Sequence, residues 1–191
     1  MKTIICLVGE TGSGKDTVAS LLPWPKVVSY TTRGIREGEK DGREHHFISE
    51  EEMSKLKNRE KILAYTNKGN AEYCAVIPNE TTCVYVVNPD GIEYLREHYS
   101  KEDIRLIVIG LYLPLKKRML RCRVRSDFET AFIDRVADEQ LDYDEFRLSG
   151  KYDMMITNNN SSLTADVIKE MVSQILYDTS YTTIENLLFK I

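Results

Sequence analysis

A glycine-rich run near the start of the chain has the residue types and the spacing to bind phosphate. It reads Gly9-Glu-Thr-Gly-Ser-Gly-Lys15-Asp16-Thr17 and follows a strand-like apolar stretch. Glycines let the backbone curl so that successive N–H groups point at phosphate oxygens, and the lysine can reach the β- and γ-phosphates of ATP. A glycine-rich turn without a ligand is the alternative, and the flanking strand and the lysine favour the phosphate-binding interpretation. The residues predicted to bind ATP here are Gly9, Gly12, Ser13, Gly14, Lys15, Asp16 and Thr17.

The residue after the lysine departs from the usual loop. A Ser or Thr in that place commonly holds Mg²⁺, whereas this chain has Asp16 there and a threonine one position later. We predict that Mg²⁺ is held at Thr17, with Asp16 as the alternative ligand.

Two further groups of cations suit a phosphoryl-transfer site. Arg33 and Arg36 lie three residues apart just beyond a predicted strand, and two planar guanidinium groups can grip a phosphate bidentately. Such a pair more often lies in a solvated loop, but behind a phosphate-binding loop it indicates a site for an acceptor phosphate. Residues 116–125 contain six cations. They could form a solvated helix face or a nucleic-acid patch, or they could stabilise the charge that spreads over a transferred phosphoryl group.

The elements that would position these residues alternate between strand-like and helix-like segments, which predicts an α/β domain with a largely parallel sheet. Apolar, β-branched runs predict strands at residues 3–8, 26–30, 82–87, 104–111 and 153–157. By contrast, residues 31–83 are polar and charged, so we interpret them as an insert that is poor in long strands.

Helix starts are readable at three places. Ser49 and Glu52 fit a capping box, as do Ser126 and Glu129, and Asn88 before a proline fits an N-cap. Apolar residues at helical spacing predict one long amphipathic helix over residues 126–146.

Composition limits the functions that are open to the 191-residue chain. A net charge of -4 argues against a whole-domain nucleic-acid binder, and no apolar run is long enough to span a membrane. The four cysteines are scattered without metal-ligand spacing, which favours reduced thiols and a cytoplasmic location. We expect a small-molecule substrate as partner, with no nucleic acid and no membrane, and a monomer or a homodimer.

The segment from Ser29 to Ser49 is similar to the signature of the guanylate kinase family, which contains Thr-Thr-Arg-x-x-Arg-x-Gly-Glu-x-x-Gly-x-x-Tyr-x-Phe. The resemblance runs from the phosphate-binding loop to the late strand that ends near Asn158. It implies a P-loop core over residues 1–30 and 80–191, a monophosphate-binding insert over residues 31–79, and an arginine-bearing lid over about residues 116–135. The implied reaction is transfer of the γ-phosphoryl group of ATP, with Mg²⁺, to a nucleoside monophosphate, converting GMP or dGMP to GDP or dGDP.

The resemblance also implies roles for individual residues. The acceptor phosphate would be held by Ser29, Arg33, Arg36 and Tyr73, with His45 in the place of a phosphate-contacting tyrosine, and the adenine of ATP would lie near Asn158. The residues implied to act on the transferred group are Lys15, Arg118, Arg123 (or its neighbour Arg121) and Arg135.

The base-reading positions of the family are altered in this chain. This chain has Ala64 where the family has its guanine-reading glutamate, and Ala75 where the family has a hydroxyl side chain. It has Val86 and Asn88 where the family has two carboxylates. Guanine presents donors that need carboxylate acceptors. Alternatives are therefore a kinase for another (deoxy)nucleotide or a phosphosugar, or a non-catalytic guanylate kinase-like interaction module, although the intact phosphate loop favours an enzyme.

Overall fold

The computed structural model describes residues 1–36, 38–100, 103–123 and 132–177. In chain order its elements are β1 (Lys2–Val8), α1 (Lys15–Leu21), β2 (Lys26–Val27), β3 (Ser29–Thr31), β4 (His45–Phe47), α2 (Glu50–Arg59), β5 (Ile62–Lys68), β6 (Ala71–Val76), β7 (Thr82–Val86), α3 (Pro89–His98), β8 (Ile104–Tyr112), α4 (Leu115–Cys122), α5 (Ile133–Ser149), β9 (Met154–Thr157) and α6 (Ser161–Tyr177).

Five parallel strands form the central sheet in the order β2-β7-β1-β8-β9, which confirms the predicted α/β class. The middle strand, β1, is apolar because both of its faces are covered. Ile4, Cys6 and Val8 pack on the face that α3 and α5 cover, whereas Ile5 and Leu7 pack on the face that α1 and α6 cover. The glycine-rich loop therefore leaves the sheet from its central strand, which is buried on both faces.

Three strands of the polar stretch, β4, β5 and β6, join β3 in a second sheet with the order β4-β3-β6-β5. The expectation that this stretch is poor in long strands is wrong, because β5 has seven residues and β6 has six. The predicted strand at residues 26–30 is also two strands: β2 joins the central sheet and β3 joins the second sheet. The division of the chain into a core and an insert stays a prediction.

The helix signals have mixed outcomes. Ser49 and Glu52 form the predicted capping box, and Asn88 accepts a hydrogen bond from Gly91 N as an N-cap. The Ser126 capping box lies outside the described residues. In the part of the predicted long helix that is described, α5 begins at Ile133 and continues to Ser149, where Gly150 ends it with a φ of 63°. Within the described ranges, no helix is long and apolar enough to cross a membrane.

Candidate active site

The phosphate-binding loop is held in a curled conformation that only glycine adopts readily. Gly12 and Gly14 have φ values of 82° and 92°, in the left-handed region. A Cβ at Gly12 would lie 2.9 Å from the Cys122 sulfur, and one at Gly14 would lie 2.6 Å from the Asn158 amide nitrogen. The loop is thus packed directly against α4 and against the residue that follows β9.

Lys15 is the first residue of α1, and its ammonium group is folded back over the loop. It donates to the carbonyl oxygens of Gly9 and Glu10. Burial lowers the pKa of Lys15, against the opposing attraction of Glu139 and Asp16. Lys15 is among the residues that line the cavity in which a polyphosphate would lie.

Asp16 and Thr17 follow Lys15, and both are exposed at the mouth of the same cavity. The Asp16 carboxylate is 2.7 Å from the Lys26 ammonium. Burial alone would raise the pKa of Asp16, but Lys26 outweighs this effect and the pKa is lowered. A carboxylate and a hydroxyl are oxygen ligands of the kind that Mg²⁺ takes, and Mg²⁺ usually binds few protein groups beside phosphate oxygens and water. The residues therefore fit Mg²⁺ even though no cluster of three or more His, Cys, Asp or Glu occurs in the described ranges.

The cavity itself has a volume of about 850 Å³ and joins the phosphate loop to the first residues of the insert. The predicted site residues that line it are Gly12, Gly14, Lys15, Asp16, Thr17, Ser29, Arg33, Arg36, His45 and Arg135. Residues that were predicted separately as a donor site and an acceptor site thus share one space.

Arg33 and Arg36 face this space in different ways. Arg33 makes a bidentate pair with Glu39, at 2.9 and 3.0 Å, and Glu39 also accepts from the Arg36 backbone N–H at 2.9 Å. Burial opposes the charge of Arg33, but the bonds to Glu39 raise its pKa. Burial and the positive charges of Arg33 and Arg135 lower the pKa of Arg36. Three guanidinium groups, two from the loop after β3 and one from α5, therefore raise the positive potential in one part of the cavity.

Ser29 and His45 form the floor beneath these arginines. The Ser29 hydroxyl and His45 Nδ1 are 2.8 Å apart. Burial, assisted by the charge of Arg33, lowers the pKa of His45 to about 4, so the ring is neutral near pH 7. The Tyr73 ring lies behind His45, with centroids 5.7 Å apart, and is not among the residues that line the cavity.

The arginines that were predicted to form the lid lie in three different environments. Arg121 lines the cavity and donates to Ser13 O at 3.3 Å and to Asn158 O at 2.7 Å. Arg123 is exposed and does not line the cavity. Arg118 is buried behind the loop, where it donates to Glu10 and to the Thr11 carbonyl. Of the two alternatives at the second lid position, the geometry favours Arg121.

Asn158 does not fit the predicted adenine contact through its side chain. It is completely buried. Its amide nitrogen donates to Ser13 O at 2.7 Å, and its amide oxygen accepts from the Thr164 hydroxyl at 3.0 Å. Both ends of the amide are therefore used to brace the phosphate loop against α6.

Three of the four altered base-reading positions do not line the cavity. Ala64 and Ala75 are paired across β5 and β6 and are 2% and 0% exposed, inside the core cluster. Asn88 uses its side-chain oxygen to cap α3. Val86 is the one residue of this group that lines the cavity.

Sequence analysis missed four charged residues that hold the loop or the cavity: Glu10, Lys26, Glu139 and Arg147. Glu139 accepts from Thr11 N at 2.8 Å and from its hydroxyl at 2.7 Å, across 128 residues of chain. Helical spacing marks Glu139 only as a polar position, and nothing in the motif assigns a partner to Glu10. Contacts this distant carry no local signal.

Comparisons with known proteins show the family to which the chain belongs. The guanylate kinase family model matches residues 1–175. A guanylate kinase from Synechocystis sp. is 28% identical over 169 residues, which cover 82% of this chain and 86% of that protein. One from Homo sapiens is 25% identical over 186 residues, which cover 89% and 92%. The crystal structure of guanylate kinase from Anaplasma phagocytophilum is 20% identical, with a TM-score of 0.69 over 93% of this chain and 88% of that one, and supports the fold.

Proposed function

Since the chain belongs to the guanylate kinase family and is a guanylate kinase-like nucleoside monophosphate kinase, we propose that Mg²⁺-ATP is its phosphoryl donor. The triphosphate lies on the loop of residues 9–17, with Lys15 at its β- and γ-phosphates. The acceptor phosphate lies on Ser29, Arg33 and Arg36, next to neutral His45. The observation that carries this proposal is that Lys15 and both arginines line one cavity of about 850 Å³.

Catalysis then depends on positioning and on fixed positive charge. The attacking oxygen belongs to a phosphate that is already anionic, so the chain need not supply a base. Lys15, Arg135 and Arg121 surround the space between donor and acceptor and stabilise charge on the transferred group. Asp16 and Thr17 would hold Mg²⁺, which when bound would supply neutralisation of the charge on the phosphate oxygens. Contact of Arg123 with the donor stays a prediction.

Arg36 provides a direct test of the acceptor half of the site. We expect Arg36→Met to raise the KM for the acceptor about tenfold or more, since it removes a charged contact worth roughly 1.5–3 kcal/mol, and to leave the KM for ATP within about twofold. Arg59→Met, an exposed arginine in the last turn of α2, is the matched control. ADP release from a panel of nucleoside monophosphates and phosphosugars measures both constants. An unchanged acceptor KM would contradict the proposed clamp.

The burial of Ala64 and the capping role of Asn88 favour a second candidate for the acceptor. Without carboxylates that accept from guanine, the site holds the phosphate of the acceptor more specifically than its base. We propose that a nucleotide other than GMP, or a phosphosugar, is turned over with comparable or higher kcat/KM. Turnover of GMP alone in the same panel eliminates this candidate.

A non-catalytic interaction module is distinguished by nucleotide binding. A ligand at a hundred times its Kd stabilises the fold by roughly 2.7 kcal/mol, so Mg²⁺-ATP should raise the melting temperature of an enzyme.

The four cysteines are buried and unpaired, which supports the proposed cytoplasmic location.

A further inference from the structure

The second residue of the phosphate loop, Glu10, carries a buried carboxylate with two cationic partners. Its side chain is 7% exposed. Oε1 accepts from Arg118 at 2.8 Å, and Oε2 accepts from Arg147 at 3.0 Å. A buried charge is strongly unfavourable unless it is paired and hydrogen-bonded. This carboxylate satisfies both conditions with guanidinium groups from two different helices, α4 and α5.

Arg118 uses every nitrogen of its guanidinium group on protein acceptors. In addition to the bond with Glu10, Nε donates to Leu113 O at 3.1 Å and the other terminal nitrogen donates to Thr11 O at 3.1 Å. The side chain is 5% exposed and is not among the residues that line the cavity. To reach a phosphate in the cavity, Arg118 would have to abandon three hydrogen bonds and leave Glu10 with one partner.

The same part of the loop is held from α5. Glu139 accepts two hydrogen bonds from Thr11, and Arg147 lies over the Tyr112 ring at 5.3 Å while it holds Glu10. Glu10 and Thr11 are therefore fixed by charged groups on both flanking helices.

Fixing this dipeptide also fixes Lys15. Its ammonium group donates to the carbonyl oxygens of Gly9 and Glu10, which belong to the two successive peptide groups on either side of the Glu10 Cα. Rotation of either peptide group would move one acceptor of the ammonium group together with the N–H of the same peptide group. The position of the Glu10 carboxylate is thus transmitted to the groups that bind polyphosphate.

We propose that Arg118 is a positioning residue: it acts through Glu10 to fix the shape of the phosphate loop and does not contact the transferred phosphoryl group. This inference rests on the proposed nucleotide binding. It replaces the direct donor contact that the family resemblance implies for Arg118.

A double-mutant cycle on Glu10→Gln and Arg118→Met tests the proposal, with ADP affinity measured by direct titration. If Arg118 acts through Glu10, the two losses share one cause. We expect each single variant to weaken ADP binding about tenfold, and the double variant to lose little more than either single variant. At saturating substrates kcat should fall less than tenfold. Lys116→Met, an exposed residue on the same helix, is the matched control and should change neither quantity.

Two outcomes would overturn the proposal. Losses that multiply to about 100-fold in the double variant would show that the residues act independently. A drop in kcat of about 10³-fold with unchanged ADP affinity in Arg118→Met would identify a contact made in the transition state. If Arg118→Met does not fold, Arg118→Gln takes its place in the cycle, because glutamine removes the ion pair with Glu10 while it can still donate a hydrogen bond to a main-chain carbonyl.

Amide hydrogen exchange in the nucleotide-free protein separates this inference from the proposed function. Both single variants should accelerate exchange at residues 12–15, to a similar degree, relative to the Lys116→Met control. Unchanged exchange in both would overturn the positioning role even if the enzyme is a kinase. Failure of the unaltered protein to bind ADP would instead refute the proposed function, while the exchange data still decide whether the network shapes the loop.

Discussion

Replacing Lys15 with methionine should abolish nucleotide consumption without unfolding the protein. Methionine retains the length of the side chain and removes the charge. A cation at the transferred phosphoryl group contributes on the order of 10³-fold or more to the rate, about 4 kcal/mol of transition-state stabilisation. The cost to stability is much smaller. Burial lowers the pKa of Lys15 in spite of its two carbonyl partners and nearby carboxylates, so the fold disfavours the charged form relative to water.

The expected change in the free energy of unfolding without ligand is therefore within about 1 kcal/mol of zero, and it can be stabilising. Urea denaturation measures this quantity, and a coupled ADP-release assay measures the rate. Lys55→Met, at an exposed salt bridge on α2, is the control and should leave both unchanged. Saturating ADP should stabilise the control by roughly 2.7 kcal/mol at a hundred times its Kd and leave Lys15→Met unaffected. A variant with normal turnover, or one that is destabilised by several kcal/mol, would refute this account of Lys15.

Three further predictions concern residues around the cavity. The fold lowers the pKa of His45 to about 4, so this side chain binds a proton more readily in the unfolded chain, where its pKa is about 6.5. The free energy of unfolding should therefore fall by about 2 kcal/mol, after allowance for partial exposure, as the pH drops from about 6.5 to 4. Urea denaturation measures this pH dependence, and the His45 contribution to it should vanish in His45→Gln. Glu139→Gln leaves one amide oxygen where the carboxylate gave Thr11 two acceptors. It should weaken ADP binding about threefold in a direct titration and lower stability by about 1 kcal/mol. Tighter ADP binding would show that repulsion between Glu139 and the phosphates outweighs its hold on the loop. Ala64→Glu forces a carboxyl group into a position that is 2% exposed, so unfolding should become about 3 kcal/mol or more easier without any gain in GMP turnover; a gain in GMP turnover would show that position 64 faces the acceptor.

The sequence predicted a curled glycine loop between a strand and a helix because this conformation is encoded locally. Gly12, Gly14 and Lys15 lie within four residues of one another, and both glycines have the positive φ that the loop requires, so a short motif between β1 and α1 specifies the loop. Binding of the donor there stays a prediction. The caps at Ser49 and Asn88 were predictable for the same reason, since each involves a residue three positions away.

Long-range partners were not predictable from local patterns. Asn158 follows a late strand and could equally contact a base or brace the loop; its bonds to Ser13 and Thr164 depend on how β9 and α6 approach α1. Arg118 lies in a run of cations, each of which could face the donor, and only the buried carboxylate of Glu10 selects it for another role. Because charge alone is compatible with many partners, the fold decides among them.

Recognition of a phosphate and recognition of a base depend on different kinds of protein group, and this difference bears on the choice of acceptor. Phosphate is recognised by charge and by main-chain N–H groups, so the donor loop and the Arg33–Arg36 pair can persist while side chains around them change. Base recognition needs individual side chains on β5, β6 and β7, and here those positions are apolar or used by the fold. We therefore expect the acceptor to be held mainly through its phosphate, with correspondingly weak discrimination among bases. The kcat/KM values for different monophosphates should therefore lie within about 10²-fold, far from the 10⁴-fold or greater selectivity of a pocket with buried hydrogen-bonding groups. A single monophosphate that exceeds all others by 10⁴-fold would show that residues outside the positions considered above read the base.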